Sequence, residues 1–65
     1  MNTLDQLQDS LAREMMLQAM YNHHAMDIMA PDVRQLFLQM RDAKMQHITQ
    51  LQQQIQQMMQ QGIQQ

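Results

Sequence analysis

The chain has 65 residues, a formal net charge of −2 and no cysteine. A chain this short forms one domain at most, and it buries so little surface that it needs a staple or a partner. Without cysteine that staple is neither a disulfide nor a thiolate metal site, and with 4 scattered Lys/Arg and only Tyr21 and Phe37 as aromatics no nucleic-acid surface is expected.

The chain opens "MNTLDQLQDS", too polar for a signal peptide, and no apolar run nears the ~18 residues of a membrane span. With cysteine absent as well, the expectation is a soluble, intracellular chain of cytoplasmic synthesis, retained where it is made. Thr3 is the expected N-cap of a first helix, with Asp5 in its first turn and Gln6 at the capping-box position. A helical pattern then runs over residues 3–29. At "MAPDVRQ" it must break, because proline inside a helix removes a hydrogen bond and clashes with the preceding turn, whereas at a helix start it is tolerated. A second helix is expected over 32–60, with Asp32 in its first turn, fading at Gly62 to leave 61–65 as a frayed glutamine-rich tail. Two helices and so short a connection make an antiparallel hairpin. One long helix kinked at Pro31 is the alternative, but it would leave both apolar faces uncovered.

Those faces carry polar residues where none are expected. On helix 2, Phe37, Met40, Ile48, Leu51, Ile55 and Met58 recur at helical spacing. Advancing 100° per residue places Lys44 near the centre of that stripe and His47 on its edge. Along helix 1 the stripe is Leu4, Leu7, Leu11, Gln18, Tyr21, Ala25 and Ile28, and Glu14 occupies the slot between Leu11 and Gln18. With the bend near residues 30 and 31, Glu14 lies level with His47, one turn from Lys44. A core polar cluster of Glu14, Tyr21, Lys44 and His47 is therefore expected.

Glu14 and Tyr21 on one helix, with a pair spaced i, i+3 and ending in His47 on the next, resemble half of a ferritin-like bundle. In such bundles a carboxylate from one helix and Glu-x-x-His from another build half of a di-metal site. More narrowly, "LAREMMLQAMYNHHAMDIMAPDVRQLFLQMRDAKMQHITQLQQQI", and above all its "APDVRQLF", is similar to the spore coat protein F family over roughly residues 11 to 58. The resemblance implies an all-α, antiparallel helical hairpin that dimerises into a ferritin-like four-helix bundle. It also implies a structural, non-enzymatic role in the spore coat, with itself and other coat proteins as partners, and glutamines that accept cross-links to lysine.

The chain departs from the ferritin pattern where it matters. Lys44 stands where Glu-x-x-His has its glutamate, and an ammonium has no lone pair for a metal. The expected reading is a degenerate site without metal or cofactor, in which a Glu14–Lys44 ion pair replaces the cation. Two alternatives stay open: Lys44 extending its ammonium to solvent, and a true iron or manganese site through Glu14 and His47.

A second constellation is "MMLQAMYNHHAM". Met16, Met20 and His23 follow i, i+4, i+7, a spacing that fits either a Cu(I) site of thioethers and imidazole or an interface patch. The packing alternative gives helix 1 two apolar faces, one for helix 2 and one for another molecule. His23 and His24 are about 100° apart, so at least one is a surface residue. The tail "TQLQQQIQQMMQQGIQQ" continues helix 2, with its glutamines as a solvated face. No hydroxyl (Thr3, Ser10, Tyr21, Thr49) pairs with a base as a nucleophile, and no glycine-rich phosphate loop is present, so no enzyme is expected.

Overall fold

A computed structural model describes residues 2–62. Two helices, α1 (Thr3–Asp27) and α2 (Pro31–Gln60), make up the fold, with no strand among the described residues. They lie antiparallel as a hairpin. Partners draw together toward the bend: Glu14 meets Lys44 and His47, Asn22 meets Arg41, and Tyr21 meets Phe37. The molecule measures 48 × 18 × 11 Å. Its length is essentially that of α2, since 30 residues at 1.5 Å each span about 45 Å. No described helix is long and apolar enough to cross a membrane.

The helix ends differ in detail from the expected ones. Asn2, not Thr3, caps α1, its side-chain oxygen accepting from the Asp5 N–H at 2.8 Å. Asparagine outranks threonine as a cap, and capping from Asn2 starts the helix one residue sooner than a Thr3 cap allows. Glutamine at position 6 is then one residue beyond the capping-box position. At the other end α1 stops at Asp27, two residues early. Ile28 and Ala30 are extended (ψ 127° and 120°), and the proline ring disfavours helical backbone at Ala30 just before it. Pro31 is itself the first helical residue of α2. The Arg34 side chain donates to the Ile28 carbonyl at 3.0 Å and ties the bend shut.

At the far end α2 closes at Gln60, and Gly62 turns into left-handed backbone (φ 70°) with its N–H on the Met59 carbonyl. Glycine takes this conformation without the strain a side chain would add. Of the tail, residues 63–65 lie outside the described residues.

The seam is thin. Among the described residues only Ala25 is buried, at 3 % exposure; the rest of both stripes is half-buried. Two helices side by side leave every seam residue one open flank.

Candidate functional site

Glu14, Lys44 and His47 converge at mid-length on one side of the seam. Lys44 Nζ donates to both Glu14 carboxylate oxygens, at 3.2 and 3.1 Å. His47 Nδ1 lies 2.7 Å from Glu14 Oε1. An ionised carboxylate only accepts, so the His47 proton is on Nδ1 and the ring donates. Both contacts are charge-assisted or close to it, and both draw on one acidic group. The Glu14 and Lys44 side chains are 18 % and 22 % exposed. Lys44 therefore neither reaches out to solvent nor disappears into a core: the pair is half-buried, with one flank open.

Tyr21 does not join this cluster. Seven residues from Glu14 is about 10 Å along the helix, beyond hydrogen-bond reach. Its ring packs edge-on against Phe37, centroids 6.0 Å apart, and His24 meets the same phenyl at 5.5 Å. The expected four-membered polar cluster is thus a triad of Glu14, Lys44 and His47, with Tyr21 in a separate aromatic group. Edge-to-face contacts of this kind add to the area they bury.

A further cross-helix contact joins Arg41 Nη1 to the Asn22 side-chain oxygen at 2.8 Å, while Arg41 also holds Asp42 at 2.9 Å. Neither it nor the His24 contact stands out from sequence periodicity. Counting back from the bend places Asn22 level with Gln39, within reach of the long Arg41 side chain two residues on, so register was the available signal.

The hydrogen bond from His47, and next the Lys44 ammonium, hold the Glu14 carboxyl below its ordinary 4.5, against partial desolvation that acts the other way. A carboxyl with a depressed folded-state pKa stabilises the fold above its unfolded value and loses that contribution as pH falls through the lowered one. Thermal melts should accordingly show a Glu14 contribution that is flat above about pH 5 and decays below 4.5. Glu14→Gln should flatten that acid limb; an unchanged limb would show that the triad does not couple to folding.

A divalent metal does not fit these residues. Lys44 contacts both carboxylate oxygens and puts a positive charge where the cation would sit. Among the described residues no group of three or more His, Cys, Asp or Glu side chains is placed to hold a metal. Met16, Met20 and His23 lie elsewhere, on the side of α1 turned from α2. Met16 is 72 % and Met20 42 % exposed, so they take no part in the hairpin seam. His23 is on the surface, 3.9 Å from Asp27.

No protein-family model matches the chain, and no curated protein or solved structure matches it either.

Proposed function

We propose that this chain is a structural, self-associating protein in which two hairpins close into a ferritin-like four-helix bundle, and that it serves as a spore coat component. The observation that carries self-association is the open seam. The hairpin exposes 4905 Å², against roughly 4,400 Å² for a compact folded monomer of its mass.

One broad side of the hairpin suits a second copy. Ser10, Glu14, Leu17 and Tyr21 on α1 follow i, i+4, i+7, i+11, as do Leu36, Met40, Ala43 and His47 on α2. Closing two such sides together would cover the open flank of the triad. A broad side of 48 × 18 Å presents roughly 850 Å², close to the ~800 Å² per partner of a stable interface. Each large apolar side chain covered there contributes about 1.5–3 kcal/mol. Within the bundle the two Glu14–Lys44 pairs stand where ferritin-like proteins carry two metals, and their charges cancel without any cation. The coat assignment rests on the likeness of "APDVRQLF" and its flanks to coat protein F, and it makes other coat proteins the further partners of a chain made in the cytoplasm and deposited on the spore.

Sedimentation equilibrium at micromolar concentration is expected to give a dimer or larger. Leu36→Glu, at a position half-exposed in the lone hairpin, should shift the protein to monomer with little loss of helix at matched concentration. A well-folded wild-type monomer would overturn the bundle.

A further inference from the structure

Three soft donors lie on α1 with no structural task in the hairpin. Advancing 100° per residue, Met16, Met20 and His23 fall within an arc of about 60°, some 140–180° around the helix from buried Ala25. They point away from α2, and Met20 lies about 60° around the helix from Leu17, at the rim of the broad side that carries Glu14 and Leu17. Hairpin closure leaves all three exposed. Met16 and Met20 line one shallow groove with Ala12, Leu17, Asp9 and Arg13. Both thioethers thus open onto the same strip of surface, and His23 follows one turn on.

We propose that Met16, Met20 and His23 form an open Cu(I) site on the outer face of α1. Two thioethers and an imidazole are a neutral, polarisable ligand set, which favours a soft d¹⁰ monovalent ion and offers little to hard divalent ones. Methionine side chains at i and i+4 are neighbours on a helix, and histidine three residues beyond Met20 completes a three-coordinate arrangement. Asp27 supplies the outer shell. Its carboxylate lies 3.9 Å from His23 Nε2, on that edge of the ring, so Nδ1 is the nitrogen left open to the ion. It also balances the ion's charge, since the nearby Asp9 is already paired with Arg13 at 3.2 Å. Asp27 is a positioning residue, and the three donors are the ligands.

The test is an anaerobic titration of the full chain with Cu(I) against a competing chelator, alongside Zn(II). The expected result is one Cu(I) per chain, with Zn(II) not competing. Met16→Leu with Met20→Leu, nearly volume-matched changes that keep helix propensity, should weaken binding by more than the ~10–100-fold that outer-shell changes cause. Asp27→Asn should fall within that outer-shell range, and Met59→Leu on α2 should leave binding unchanged. Failure of the wild type to bind Cu(I), binding that survives the double replacement, or equal affinity for Zn(II) would each overturn the site. If the double variant does not fold, the wild type still decides. Its methionine methyl resonances should shift with Cu(I) at Met16 and Met20, and shifts confined to other methionines would refute the assignment.

Discussion

Replacing Lys44 with methionine is expected to lower the melting temperature, and replacing Glu14 with leucine in the same chain is expected to recover most of the loss. In the single variant the Glu14 carboxylate keeps its place in the seam but loses the two bonds from Nζ, at 3.2 and 3.1 Å, leaving only His47 to compensate it. A charge withdrawn from water and stripped of its partner costs more than the pair contributed while intact. The double variant removes both charged groups and puts apolar side chains on stripes that are otherwise mostly apolar. The two changes should therefore be strongly non-additive in a double-mutant cycle. Near-additive, small effects would show that the pair is held together only loosely in solution. Lys44→Glu carries the same logic to metals. It restores Glu-x-x-His beside Glu14, so calorimetric titration should reveal Fe(II) or Mn(II) affinity in that variant and none in the wild type. Tight binding by the wild type would mean that the ammonium does not occupy the site.

Phe37→Ala should be the most damaging single truncation. The Phe37 ring on α2 meets two rings of α1, those of Tyr21 and His24. Fully buried phenylalanines cost about 3–5 kcal/mol when cut to alanine, and half-buried Phe37 should cost roughly 2–3. At about 4–8 °C per kcal/mol for a domain of this size, the melting temperature should fall by roughly 10–20 °C. Phe37→Leu should cost distinctly less, because it keeps most of the buried area and forfeits mainly the ring contacts. A shift of a degree or two for Phe37→Ala would mean that the aromatic group contributes nothing to closure.

What periodicity and one proline reveal is which residues share a face and which lie level across a bend. That was enough to make a hairpin of two helices legible, and to bring Glu14 toward Lys44 and His47. It could not tell how far a side chain reaches. Tyr21 shares a stripe with Glu14, yet two turns of helix separate them, and its ring has a nearer apolar neighbour in Phe37. Thr3 and Asn2 are both good caps, and the choice between them turned on which oxygen met the Asp5 N–H. The angle between His23 and His24 put at least one of them on the surface without saying which, and it is His24 that meets the Phe37 ring. The methionines of α1 were ambiguous for another reason: thioethers suit cores, interfaces and soft metals alike, and the exposure of Met16 and Met20 removes only the first of these.

Beyond the triad, the polar and aromatic contacts of the hairpin gather near the bend, while the half-buried apolar seam runs its whole length. Ala25, the rings of Tyr21, His24 and Phe37, the Asn22–Arg41 bond and the Arg34 tie all lie in the part nearest the bend. The far part of α2 is a run of glutamines around Leu51, Ile55 and Met58. Contacts near a three-residue connection close small loops at little entropic cost, so they form early. The hairpin should then fold as a zipper, nucleating at the aromatic group and propagating outward through Glu14, Lys44 and His47 to the open ends. The polar triad sits where the early and late parts of that process meet. There a mismatch in register would strand a charge, so the Glu14–Lys44 pair favours one alignment of the helices over its neighbours.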